Sequence, residues 1–132
     1  MDNITVFPFK FRYLSDVIDL HKSQEAKDVI SMRTLPKIGY IAFLGKEPIA
    51  AGFLRRVEPC FAQIDTLVSN GHFGSKVRHE GIKLVVEELI NEAKRLKMKG
   101  IIAHTADTGI LERARSLGFR VIPQTIIGLP LP

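Results

Sequence analysis

Three glycines and three basic residue types gather at the start of one strongly patterned segment: Gly71, Gly74 and Gly81, with Lys76, Arg78 and His79. Flexible backbone and positive charge at a helix start suit an anion such as a phosphate, because the first N–H groups of a helix lack carbonyl partners and its dipole is positive there. Glycine and lysine are also common in ordinary solvated loops, and that reading stands beside the first. A second chemically pointed residue is Asp65, set in the apolar run FAQIDTLV. A buried, unpaired carboxylate is costly and would hold its proton more tightly than usual, as a general base might require; on the wet face of an antiparallel sheet the same residue would be ordinary. His21 lies on a helical stripe with no matching partner in the sequence, the pattern of an incidental surface histidine. Zinc-protease, CxxC, P-loop and nucleophile-elbow patterns are missing, and one cysteine with four scattered histidines outlines no metal site.

The element that must position the glycine-rich turn is the best helix in the chain. Ile82, Val85, Val86, Leu89, Ile90, Ala93 and Leu96 recur at spacings of three and four, with charged residues opposite, so residues 78–96 read as an amphipathic helix. Lys97 and Lys99 suit its negative end, and Gly100 is placed to take a left-handed cap. Before it, residues 4–13 alternate as a strand that Pro8 assigns to a sheet edge or a bulge, with Phe7, Phe9, Phe11 and Tyr13 on one side. That aromatic row reads either as core or as a stacking platform for bases. Residues 14–26 read as a helix capped by Ser15, and residues 27–36 as a second short helix ended before Pro36. Residues 38–44 and 48–57 form a hairpin around Gly45-Lys46-Glu47, and residues 61–68 a third strand, with Ile64, Thr66 and Val68 on one face and Gln63, Asp65 and Leu67 on the other. After the long helix come a strand at 100–104, a helix at 108–117 started by Asp107 or Thr108 and closed by Gly118, and two strands at 119–122 and 124–128. The order predicts an α/β layout with a mixed sheet and helices on its faces.

Composition bounds the rest. The 132 residues make one domain, 1–132, able to bury a core without disulfides or metal, and no linker or repeat divides them. The single Cys60 and the lack of an N-terminal basic-then-apolar segment point to the cytoplasm, and no apolar run is long enough for a membrane span. A net charge of +5 favours an acidic partner, whether a phosphorylated cofactor, a nucleic acid or an acidic protein.

The element order and the turn Arg78-His79-Glu80-Gly81-Ile82-Lys83 resemble the GNAT family of N-acetyltransferases, whose diagnostic segment is Gln/Arg-x-x-Gly-x-Gly/Ala at a helix start. The segment LERARSLGFRVI is similar to the family's last helix and the Leu-Gly-Phe after it, here Leu117, Gly118 and Phe119, and Asp107 stands where the family often has Asn. The resemblance implies a GNAT-like bent mixed sheet of about six to seven strands flanked by three to four helices. It implies acetyl-coenzyme A, or another acyl-CoA, in a cleft between two splayed strands, with the pyrophosphate on the backbone of Arg78, His79, Glu80, Gly81, Ile82 and Lys83. A backbone N–H near Leu67 or Val68 would polarise the thioester carbonyl, and Asp65 and His104, near the ends of the splaying strands, are the candidate bases for an attacking amine.

Three departures qualify what it implies. Lys83 replaces a small residue of the turn, the loop at 69–77 is longer than usual, and Ala114 stands where many members place a tyrosine that protonates the departing thiolate. The acceptor would be a small-molecule or protein amine. A degenerate GNAT-fold binding protein, and an enzyme acting on nucleic acid through its basic surface, are the alternatives; edge-strand pairing could also make a homodimer.

Overall fold

The computed structural model describes residues 3–24, 35–57, 59–104, 108–125 and 127–131. Five strands form one sheet in the order β1-β2-β3-β4-β5: β1 Ile4–Pro8, β2 Ile38–Leu44, β3 Glu47–Val57, β4 Phe61–Ser69 and β5 Gly100–Ile102. The first four are antiparallel: β2, β3 and β4 follow one another through short turns, β2 to β3 by Gly45-Lys46 alone, while β1 pairs with β2 across a long helical connection. The β4–β5 pair is parallel, and α2 (Ser75–Arg95) makes the crossover. Helix α1 (Leu14–Ser23) precedes β2, and α3 (Thr108–Ser116) follows β5. The mixed α/β layout is the expected one, with five strands among the described residues rather than six or seven.

Period-2 alternation divides the core between the two sheet faces. Leu54, Ala62 and Ile64 join Val85, Val86, Leu89 and Ala93 of α2 on one face. Ile41, Ala51, Phe53 and Val68 join Val17 and Leu20 of α1 on the other. Two bulges break this pattern. Opposite the register shift between Ala42 and Phe43, both Ile49 and Ala50 turn toward α2, which supplies the floor on which the helix lies. In β4, Thr66 adopts a left-handed φ of 51°, and two residues, Thr66 and Leu67, oppose Gly52 alone. The expected alternation therefore holds only to Asp65. Beyond the bulge Leu67 faces α2 and Val68 faces α1, the reverse of the simple period-2 assignment.

Several boundaries differ from those expected, each for a local reason. The first strand ends at Pro8, and Phe11–Tyr13 form a 3-10 turn closed by Tyr13 N–H donating to Lys10 C=O. Phe9 and Tyr13 pack on the α1-side core while Phe11 is exposed, so the aromatic row is not continuous. Helix α1 starts at Leu14 with Tyr13, not Ser15, as its N-cap. The short helix expected at 27–36 and the cap Asp107 fall outside, or mostly outside, the described residues. The described parts of 119–122 and 124–128 contain no strand; β-forming side chains alone make none without a paired ladder.

Both later helices end in a Schellman motif. In α3, Phe119 and Gly118 N–H donate to Ala114 and Arg115 C=O, with Gly118 at φ 95°. In α2, Met98 and Lys97 N–H donate to Ala93 and Lys94 C=O, and it is Lys97, at φ 60°, that takes the left-handed position expected of Gly100. A side chain there is strained by roughly 1–2 kcal/mol, so Lys97→Gly is expected to raise the unfolding free energy by about 1 kcal/mol in urea denaturation. A second expectation concerns Tyr40, whose phenol is pushed above the ordinary tyrosine range by burial and then by Glu92 and Glu88. Its O–H donates to Glu92 Oε2 at 3.4 Å. A raised folded pKa means the phenol's contribution is full below the unfolded pKa near 10 and is lost as pH rises through the folded value. Absorbance titration at alkaline pH should show one of the two tyrosines ionising late, and Glu92→Gln should bring it earlier.

Candidate functional site: the cleft where β4 and β5 part

β4 and β5 pair over only three residues, Phe61↔Gly100 to Gln63↔Ile102. Past that point β4 runs on six residues to Ser69, paired with β3 on one edge and with no described strand on the other, and the gap opens a cavity of about 210 Å³. Ile64 and Leu67 of β4, Ile82 and Val86 of α2, and Ile110 and Ala114 of α3 give it apolar walls. Its polar groups come from Gln24, Ser69, Ser75, Arg78 and Arg113. A narrow apolar channel with a cationic rim can take a flexible chain ending in an anion.

The start of α2 explains that rim. The helix begins at Ser75 with Gly74 as N-cap, three residues before the expected start, and the loop after β4 is the five residues 70–74 rather than the longer stretch expected from 69 to 77. Arg78 N–H already donates to Gly74 C=O at 3.1 Å, so the N–H groups without an intrahelical carbonyl are those of Gly74, Ser75, Lys76 and Val77. No side chain caps this end and no acidic residue stands in its first turn. The segment from Arg78 to Lys83 is thus helical throughout. Gly81 packs against the sheet rather than facing a ligand: a Cβ there would lie 2.9 Å from Ile49 Cδ1 and 3.2 Å from Ala50 Cβ. Lys83 is exposed and leaves the helix start open.

A polar clasp between α1 and the end of β4 fixes the loop. Ser69 N–H donates to Gln24 Oε1 at 3.0 Å, Gly71 N–H donates to Ser23 Oγ at 2.9 Å, and Arg78 Nε donates to Ser69 Oγ at 3.0 Å. Asn70 Nδ2 reaches Pro48 C=O at 2.9 Å, and Asn70 Oδ1 accepts from His72 N–H. Ser69 and Asn70 are buried, and these bonds satisfy them. Along a strand, N–H groups two residues apart share an edge; Ser69 N–H points to Gln24 on the cleft side, so Leu67 N–H lies on that edge and Val68 N–H on the β3 side.

Of the residues singled out from sequence, the cleft brings together Leu67, Arg78 and Ile82. Val68 is buried against α1, and His79, Glu80, Gly81 and Lys83 are not among its described lining residues. Asp65 is held by Arg55, whose Nη2 and Nε lie 2.7 and 2.9 Å from Oδ2, so it is a paired carboxylate on the α1-side face. His104 is exposed just past β5 and borders a neighbouring cavity, and Asp107 is outside the described residues. Sequence reading missed Gln24, Ser69, Ser75 and Arg113. Arg113 was legible as the cationic neighbour of Ala114 on the cleft-facing stripe; Gln24 and Ser69 meet across 45 residues, which no local pattern reveals.

No family model matches the sequence, and no curated protein matches it. Solved structures do. An aminoglycoside acetyltransferase from an uncultured soil metagenomic sample, in complex with sisomicin, superposes with a TM-score of 0.74 at 11% identity, covering 99% of this chain and 97% of that one. Rv2747 from Mycobacterium tuberculosis, in complex with CoA and NLQ, gives 0.74 at 16% identity over 94% of this chain and 76% of its own. Glucosamine-6-phosphate N-acetyltransferase from Arabidopsis thaliana gives 0.68 at 11% identity over 97% and 99%. The chain has the GNAT acetyltransferase fold.

The clasp itself is testable. A Cβ on Gly71 would lie 2.2 Å from the Ser23 carbonyl oxygen, a backbone atom that cannot step aside. Gly71→Ala is expected to cost about 1–3 kcal/mol in thermal or urea unfolding, whereas the same change at Gly74, with open space around it, should cost much less.

Proposed function

We propose that this chain is an acyl-coenzyme A-dependent N-acyltransferase, with acetyl-coenzyme A as donor and an amine as acceptor. One observation carries the reading: the parallel pair parts directly beside an uncapped helix start flanked by Arg78 and free of acidic side chains. The residues present fit the coenzyme. The N–H groups of Gly74 to Val77, with Arg78 anchored on Ser69, would hold a pyrophosphate. The apolar walls would take the pantetheine arm, and the carrier's contribution is an activated thioester. Arg113 adds a second cation from α3.

Within that frame each residue has a limited task. Leu67 N–H, on the cleft-facing edge, would donate to the thioester oxygen as negative charge develops there, and the bulge at Thr66 is what aims it. The cleft walls would exclude water and align the amine, which supplies much of the acceleration in a direct attack. Asp65, already paired with Arg55, is the weaker candidate base. His104, exposed past the end of β5, is the stronger, and His104→Gln should lower kcat while leaving the affinity for acetyl-coenzyme A nearly unchanged. Ala114 on the cleft wall offers no proton, so the thiolate would leave unprotonated. The same wall favours a second reading, in which the fold binds acyl-CoA without transferring it.

Isothermal titration with acetyl-coenzyme A tests the proposal. Micromolar binding is expected, weakened by about 10–100-fold in Arg78→Glu, a variant that keeps the helix because an acidic residue suits its first turn. Absence of binding to folded protein would overturn both readings; binding without turnover across an amine panel would select the second.

A further inference from the structure

One end of the sheet collects the positive charge of the chain. Pro8 closes β1 opposite Tyr40 near the start of β2, Val57 closes β3 opposite Phe61 at the start of β4, and Gly100 opens β5 opposite the same Phe61. Lys99 N–H donates to Cys60 C=O at 2.8 Å, which ties the connection from α2 to β5 to that end. Two basic residues flank Phe11, Lys37 precedes β2, Arg55 and Arg56 stand near the end of β3, and four run from Lys94 to Lys99; all nine are exposed. The stretches 8–13, 36–38, 54–65 and 91–100 hold these nine against three acidic residues, a net +6 where the whole chain carries +5. Asp65 and Glu92 are held by Arg55 and Arg95, and among the described residues no carboxylate pairs with the other seven cations.

Like charges gathered in this way repel one another and attract a polyanion. The patch is separate from the cleft, because Ser69 and Ser75 stand at the opposite ends of β4 and α2. Five strands at the usual spacing make it roughly 19 Å across, enough for several phosphates of an extended strand. Two aromatic rings interrupt the cations. Phe11 is 71% exposed in the 3-10 turn between Lys10 and Arg12, and Phe61 is 39% exposed. The Phe61 ring leans across β5 into the space that a Cβ on Gly100 would fill, 2.9 Å from it, so the ring is braced on the sheet. A braced, half-exposed ring suits a stacked base; insertion into lipid calls for apolar side chains that project, and an acidic peptide needs no ring. We propose that this end of the molecule binds single-stranded nucleic acid, with phosphates along the cations and unpaired bases on Phe61 and Phe11. The inference does not depend on acyl transfer.

The test is fluorescence anisotropy of the full chain with a labelled single strand of about 12 nucleotides, as RNA and as DNA, over a salt series from about 50 mM. Micromolar binding of at least one strand is expected, with log K falling against log salt at a slope of about −2. Phe61→Leu, which keeps an apolar side chain over Gly100, should weaken binding about fivefold or more at an unchanged slope. Lys37→Glu/Arg56→Glu/Lys99→Glu should flatten the slope, and Arg78→Glu should leave binding as it was, each variant being shown folded by circular dichroism. A strand that does not bind overturns the proposal, as does wild-type affinity in folded Phe61→Leu or loss of binding in Arg78→Glu. Equal affinity for the matching duplex, displacement by polyglutamate as effective as by unlabelled strand, or tighter binding to phosphatidylserine vesicles would overturn it in favour of a plain anionic partner.

Discussion

Helix α2 meets the sheet at two glycines, and the rest of the molecule is arranged by that contact. Gly81 on the helix sits over Ile49 and Ala50, and Gly52 on β3 sits under Leu67, Val85 and Leu89, so at both points a missing Cβ sets the spacing. The bulge at Ile49 lifts the floor to meet the helix, and the bulge at Thr66 swings Leu67 beneath it. A helix seated this low carries its N-terminus to the mouth of the opening between β4 and β5. Had either glycine a side chain, the helix would ride higher and the free N–H groups of Gly74 to Val77 would stand away from the cleft.

The architecture was legible where side-chain periodicity reports it directly. The 3.6-residue stripe from Ile82 to Leu96, the alternation of the β2–β3 hairpin and the Leu117-Gly118-Phe119 ending each correspond to an observed element. What escaped was set by backbone conformation or by distant partners. Thr66 at φ 51° reverses the face of Leu67 and Val68 although nothing in a β-branched residue announces a left-handed bulge. Lys97 takes a cap position that composition would give to Gly100, because Met98 and Ala93 pack where the motif needs an apolar contact. The helix start was misplaced by three residues because glycine at 81 suggests a turn, whereas its reason is close packing. The free amide donors therefore fall at 74–77, a stretch whose own residues spell no motif.

The cleft's chemistry is spare. Its walls are hydrocarbon, its cations stand at the rim, and its described lining holds neither carboxylate nor imidazole nor phenol. Such a site favours orientation and hydrogen bonding from backbone over proton transfer by side chains. Asp65 illustrates why strand position alone misleads: placed before the bulge it points to the α1 face, where Arg55 neutralises it, while Leu67 two positions on points to the opposite one.

The Ser23–Gly71 and Gln24–Ser69 bonds join residues 48 and 45 apart in sequence. Their closure must wait until β2, β3 and β4 have zipped together, since only then do the end of α1 and the end of β4 meet. The loop that sets the helix start is accordingly among the last parts of the chain to find its place. By the same token it should open before the sheet does, because opening it breaks a few side-chain hydrogen bonds and leaves the apolar core intact.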